Sequence, residues 1–182
     1  MNQSRKIFSF FAKATLIIVA SLLSATAFSK TQPPLVPGQD KMPEEVLRVH
    51  NKLRAKHHAP SLVWDKELQD FATKHARTCV FLHSSPHVYG ENLAAGYSTV
   101  SAAILAWYVE GAQYSYQNPK FEHSTGHFTQ LVWVASKKIG CGYVVCNGKN
   151  GTPGNYLVCE YSPAGNTTNP GYFEKNVLDV TP

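Results

Sequence analysis

Two short stretches gather side chains able to move protons or ligate metals beside glycines that permit tight turns. The first is His83-Ser84-Ser85-Pro86-His87-Val88-Tyr89-Gly90-Glu91-Asn92-Leu93, and the second is Gly126-His127-Phe128-Thr129-Gln130-Leu131-Val132-Trp133. Neither spacing alone brings the stretches together. Read locally, His83 and Glu91 are loop residues and His127 is a strand-edge histidine. A nucleophile is missing: Ser84 and Ser85 neighbour His83 but lack the Gly-x-Ser-x-Gly setting, and no His-Glu-x-x-His occurs.

The elements that must position these residues follow from periodicity and capping. Pro43 suits a first helical position, with Glu44 and Glu45 at the positive end of the dipole. Val46, Val49 and Leu53 recur on one face with His50, which predicts a helix over residues 43 to 57. Lys52, Arg54, Lys56, His57 and His58 read as its solvated basic end. Asp65 caps a second helix, with Leu68, Phe71, Ala72, His75, Ala76 and Cys79 on one face and an end near Phe81. Ser98 caps a third, carrying Ile104, Trp107 and Tyr108 to the core, with Glu110 on nearly the same side as Trp107 and Gly111 weakening the pattern. Residues 127 to 135, 139 to 146 and 155 to 162 are rich in Val, Tyr, Phe and Trp and read as three strands of a meander. Lys137-Lys138 and Asn147-Gly148-Lys149-Asn150-Gly151 connect them. Helices first and strands later predict an α+β domain.

The chain of 182 residues carries 17 Lys plus Arg against 12 Asp plus Glu, a formal charge of +5. Residues 1 to 27 hold Arg5, Lys6 and Lys13, no acid, an apolar run from Ala14 to Leu23 and a small-residue exit at Ala25-Thr26-Ala27. That is the pattern of an export signal cleaved before Phe28, and its apolar run is short for a membrane span. Without it 14 basic residues face 12 acidic ones, so the basicity is mostly in the leader, and no nucleic-acid motif accompanies it. Residues 28 to 42 hold three prolines and read as an extended arm, and residues 43 to 182 suit one domain. Export favours two disulfides among Cys79, Cys141, Cys146 and Cys159, with three pairings open. A zinc site of four thiolates is the competing reading, disfavoured because Cys79 has no nearby mate.

Longer motifs connect these pieces. Gly126-His127-Phe128-Thr129-Gln130-Leu131-Val132-Trp133-Val134-Ala135-Ser136 resembles the first signature of the CAP superfamily (SCP/TAPS), named for cysteine-rich secretory proteins, antigen 5 and pathogenesis-related proteins. Tyr156-Leu157-Val158-Cys159-Glu160-Tyr161-Ser162-Pro163-Ala164-Gly165-Asn166 resembles its second. His50-Asn51-Lys52-Leu53-Arg54, Tyr89-Gly90-Glu91-Asn92-Leu93 and Trp107-Tyr108-Val109-Glu110 extend the likeness over about residues 43 to 177. The resemblance implies an α-β-α sandwich with a small central antiparallel sheet and a cleft tetrad of His83, Glu91, Glu110 and His127. Two neutral imidazoles, His83 and His127, could bind Zn²⁺ or another divalent cation, with the carboxylates as outer acceptors and no organic cofactor. Histidine protonation would weaken such a site below about pH 6.5.

The resemblance also implies pairings of Cys79 with Cys141 and of Cys146 with Cys159. Tyr114, Tyr116, Asn118, Pro119 and Phe121 resemble the aromatic segment that lines a lipid site in sterol-binding fungal members; packing of the third helix onto the sheet is the plainer reading. The expected function is therefore binding of sterol or another lipid by an exported protein, extracellular or, in a Gram-negative source, periplasmic. A metal-assisted hydrolase using Glu91 and Glu110, and a secreted effector or defence-like factor acting on an extracellular protein, are the alternatives.

Overall fold

The computed structural model describes residues 32 to 180. The expected export signal, residues 1 to 27, lies outside the described residues. Among the described residues five α-helices are α1 (Met42–Lys56), α2 (Lys66–Ala76), α3 (Val100–Val109), α4 (Gly126–Val132) and α5 (Tyr172–Asn176). Four strands, β1 (Val63–Trp64), β2 (Gly90–Ala95), β3 (Lys138–Val145) and β4 (Asn155–Ser162), form one sheet in the order β1-β3-β4-β2. β3, β4 and β2 are antiparallel, and β1 joins β3 in parallel.

The strand pleat sorts the core into two layers, because successive side chains point to opposite faces. Tyr156 and Val158 of β4, Leu93 of β2 and Val144 of β3 pack with Ala72 and Ala76 of α2. Leu157, Cys159 and Tyr161 of β4, with Ile139, Cys141 and Tyr143 of β3, meet Val46, Val49, Leu53, Ile104, Trp107, Phe128 and Leu131 from α1, α3 and α4. Helices thus cover both faces, as the expected sandwich requires. The arm docks as well, since Val145 N–H donates to Pro34 O at 2.9 Å and Val36 N–H to Tyr143 O at 3.2 Å.

Several expectations need correction. Residues 127 to 132 are not a strand but belong to α4: Phe128, Leu131 and Val132 are buried at helical spacing, which outweighs the β-forming composition of the stretch. Two strands lie where none was expected, β1 at Val63–Trp64 and β2 at Gly90–Ala95, the second paired over its whole length with β4. α2 stops at Ala76 rather than near Phe81, because the chain turns and Cys79 takes φ 53°. Asp65 caps it as expected, accepting from the N–H groups of Glu67 and Leu68, whereas α3 is capped by Thr99 rather than Ser98.

The end of α1 is not wholly solvated. Arg54 is fully buried, and its guanidinium donates to the carbonyls of Pro60, Leu131, Trp133 and Ser136 at 2.8–2.9 Å. His57 is buried too, donating from Nδ1 to Leu178 O at 2.7 Å. The disulfides are Cys79–Cys146 and Cys141–Cys159, not the pairs implied by resemblance. Register decides this: Cys141 lies directly opposite Cys159 with Cα atoms 4.1 Å apart, while Cys146 lies beyond the end of β3, where its N–H meets Gly154 O. Five residues of strand, about 17 Å, separate Gly154 from Cys159, too far for a Cys146–Cys159 bond.

Candidate functional site

The site begins with a loop leaving α2 and ends where α4 starts. The Cys79–Cys146 disulfide fixes the loop's base, and His75 Nε2 on α2 donates to Leu82 O at 2.8 Å. His83 follows. Its Nδ1 donates to Glu91 Oε1 at 2.7 Å, and Ser84 N–H donates to the same oxygen at 2.9 Å. Glu91 is the second residue of β2, with its side chain only 3% exposed.

The second pair is built in the same way. Glu110 follows the last residue of α3, and its Oε1 accepts from His127 Nδ1 at 2.7 Å. Its Oε2 accepts from the N–H groups of His127 and Phe128 at 3.1 and 3.3 Å, satisfying donors that the start of α4 leaves without partners. The His127 ring stacks on Trp107 with centroids 6.0 Å apart. Asn92 Nδ2 holds the His127 carbonyl at 3.0 Å.

The tetrad is therefore two His–Glu pairs facing a cleft of about 330 Å³. His83, Glu91 and His127 line this cleft together with His87, His123, Gln130 and Asn166; Glu110 stands behind His127. In each pair Nδ1 is committed to a carboxylate, which leaves Nε2 as the nitrogen available to a ligand. The bond to Glu91 raises the His83 pKa above the ordinary imidazole range against the opposing effect of partial burial.

Glu160 is a neighbour of Glu91 that the sequence motifs do not single out, although strand alternation places it on the same face as Tyr156 and Val158. It is fully buried and lies directly opposite Glu91 across β2 and β4, within hydrogen-bonding reach. Both of its oxygens and Glu91 Oε2 have no donor from elsewhere among the described residues. Burial first, and then the neighbouring Glu91, push Glu160 far up into its protonated form. Burial acts to raise Glu91 too, but donors from His83, Glu160 and Ser84 outweigh it and hold Glu91 ionised. One proton on Glu160 thus joins the two carboxyls.

Gln130 and Asn166 shape the floor. Gln130 Oε1 accepts from Gly165 N–H at 2.9 Å, and a Cβ on Gly90 would come within 2.0 Å of that oxygen. Asn166 Oδ1 accepts from Thr129 Oγ at 2.6 Å while its Nδ2 donates to Gly126 O at 2.9 Å.

The aromatic segment divides. Tyr114 is buried, meeting Tyr116 at 5.0 Å and Phe128 at 5.8 Å between ring centroids. Tyr116 and Phe121 pack partly buried against the same core, and Asn118 borders a smaller cavity beside Tyr114. Pro119 and Phe121 line a separate cavity of about 390 Å³ with Pro170, Gly171, Phe173 and Glu174. Phe121 also borders the histidine cleft.

With this geometry in place, comparison with known proteins is specific. The model of the cysteine-rich secretory protein family, CAP, matches residues 47–161. Secreted protein RBT4 of Candida albicans is 41% identical over 148 residues, covering 74% of this chain and 40% of that protein. Golgi-associated plant pathogenesis-related protein 1 of Homo sapiens is 39% identical over 143 residues, covering 74% of this chain and 90% of that one. The chain spans 40 to 64% of the length of the first relatives it matches. A crystal structure of NaASP2 with Zn²⁺ superposes with a TM-score of 0.61 at 27% identity, covering 81% of this chain and 91% of that one. Among the described residues no helix is long and apolar enough to cross a membrane. Two disulfides and relatives named as secreted proteins make this an extracellular protein. The chain belongs to the CAP family of cysteine-rich secretory proteins.

Proposed function

We propose that the chain is an extracellular binding protein whose cleft takes a Zn²⁺-class cation on Nε2 of His83 and His127. The observation that carries this reading is the twin construction: both imidazoles donate Nδ1–H to a carboxylate at 2.7 Å, the arrangement that fixes the tautomer and raises the basicity of a ligating histidine. Among the described residues no three His, Cys, Asp or Glu side chains are gathered as a ready-made ion cage. The site would thus offer two nitrogens and leave the remaining coordination positions to water or to a ligand. The likeness to NaASP2, whose crystal structure is one with Zn²⁺, supports the choice of ion. A cation bound there would polarise a coordinated oxygen, which is the sense in which Glu91 and Glu110 could serve a hydrolase. Ser84, by contrast, is buried and is tied to Glu91 through its N–H. Calorimetric titration with Zn²⁺ should give heats for the wild type that fall at least about tenfold in affinity for His83→Ala with His127→Ala. Equal heats would sink the reading.

Sterol or other lipid binding is a second reading, supported by the 390 Å³ cavity between Pro119, Phe121 and Phe173, which falls among small-ligand sites of about 300–1,000 Å³. Tyr114 and Tyr116 support it less, because both are used in core packing. Saturable retention of radiolabelled cholesterol on a filter, lost in Phe121→Ser, is the expected result; retention that never saturates would count against it.

A further inference from the structure

The loop between α2 and β2 carries three apolar side chains that the fold does not bury: Phe81 is 49% exposed, Leu82 68% and Val88 56%. The His83 and His87 rings lie 6.2 Å apart, so the residues beside them, Leu82 and Val88, belong to neighbouring arms of one loop. The cleft is lined by His83 and His87 and not by these three residues. The loop is also held in shape. Cys79–Cys146 staples its base, His75 holds Leu82 O, and the Phe81 ring leans on Tyr156 at 5.7 Å.

The stretch of chain that forms this tip is basic. From Phe71 to Gly90 the chain carries Lys74 and Arg77 and no acid. The hairpin Asn147–Gly151 adds Lys149, tied alongside because Asn150 Nδ2 donates to Thr78 O at 2.8 Å and Thr152 Oγ to Cys79 O at 2.6 Å. Of the acids beside it, Asp65 pairs with Lys138 and Asp70 with Lys66, while Glu67 accepts from the Tyr89 hydroxyl and Glu91 from His83 and Ser84 N–H.

We propose that this loop is a docking tip for an anionic lipid bilayer, in which Phe81, Leu82 and Val88 enter the interface while Lys74, Arg77 and Lys149 face lipid phosphates. Apolar side chains at a tip with basic residues around them have the two components that hold a protein at a membrane surface, area removed from water and attraction to anionic headgroups. A loop already stapled loses little conformational freedom on insertion. Docking here would bring the mouth of the histidine cleft close to the bilayer, since His83 and His87 belong to both features.

The secreted chain should float with phosphatidylcholine vesicles containing phosphatidylserine and much less with phosphatidylcholine alone, more weakly as salt rises. The Phe81→Ser, Leu82→Ser, Val88→Ser triple variant, checked for fold by near-ultraviolet circular dichroism, should lose at least about tenfold in binding. A tryptophan placed by Leu82→Trp should shift to the blue and be quenched by brominated lipid. One placed by Leu105→Trp, at a site 47% exposed on α3, should not. These last two variants keep the test decisive if the triple variant fails to fold. The proposal is overturned if the wild type ignores both vesicles, if the triple variant binds as well as the wild type, or if both tryptophans respond alike. It is equally overturned if the triple substitution abolishes self-association of the chain while vesicle binding is absent, which would make the tip a contact between copies.

Discussion

Glu160 is the residue whose chemistry departs furthest from its type. A carboxylate buried without donors would be expelled or neutralised, and here a proton shared with Glu91 neutralises it. The arrangement assigns unequal roles to two facing carboxyls: Glu91 has the outside donors from His83 and Ser84 and carries the charge, while Glu160 acts as donor. Glutamine can also donate at that place. Glu160→Gln should therefore stay within about 1 kcal/mol of the wild type, whereas Glu160→Ala, which leaves a cavity and strands Glu91 Oε2, should cost about 2–4 kcal/mol. Urea unfolding of the two variants checks this, and a loss in Glu160→Gln as large as that in Glu160→Ala would show that an amide donor cannot stand in for the protonated carboxyl.

At the scale of elements, α2 lies tightly against β3, and alternate glycines permit it. Ile139, Cys141 and Tyr143 face one core while Gly140 and Gly142 face α2. A Cβ on Gly142 would lie 2.4 Å from Thr73 Cα, and one on Gly140 would lie 2.2 Å from Gln69 N. Backbone cannot step aside as a side chain can, so Gly142→Ala should destabilise by about 3 kcal/mol, seen as a lowered thermal midpoint with tertiary structure otherwise retained. A midpoint within a degree or so of the wild type would mean that α2 lies looser on the sheet. The same packing marks the limit of what was legible beforehand. α1, α2 and α3 were readable because each shows an apolar face and a cap or first-turn signal within its own residues, and β3 and β4 because their β-branched and aromatic runs are long. α4 and β2 were not. Phe128, Leu131 and Val132 are equally at home in a strand, and Leu93-Ala94-Ala95 pairs only because β4 lies beside it. Non-local register also decided the disulfides, which no spacing in the chain encodes. His83, Glu91, Glu110 and His127 were named from motif resemblance; their assembly into two pairs depended on a helix start that composition disguised.

For the whole molecule, the formal charge of +5 is a poor guide to its response to acid, because several ionisable groups are buried. His50 is fully buried, and burial foremost holds its pKa down to about 3, against a raising influence from Val46 O and with a smaller lowering one from Arg54. It stays neutral, donating from Nδ1 to Val46 O and accepting from the Tyr161 hydroxyl at 2.9 Å. His57 is lowered as well, again chiefly by burial. An unfolded chain would protonate both below about pH 6.5, so their contribution to stability is present above that pH and is lost as pH falls. Glu91, held low in the fold, adds loss in the same direction below its unfolded pKa of about 4.3. Glu160 has the opposite sign. Its raised folded pKa gives a contribution fully present below about pH 4.3 and eroded as pH rises from there, since only the unfolded chain releases the proton. Between about pH 4.3 and 6.5 that one proton offsets one histidine, which leaves a shallow slope. Stability should therefore peak near neutral pH, fall steeply below about pH 4.3, and decline above about pH 6.5 by up to about 1.4 kcal/mol per pH unit. Urea midpoints measured across that range should show both limbs, and Glu160→Gln should make the alkaline one shallower, down to the part that His83 contributes through its own raised pKa, while leaving the acid one in place. An alkaline limb of unchanged slope in that variant would mean that Glu160 does not carry the proton between the two strands, and the ionised state of Glu91 would then need another source.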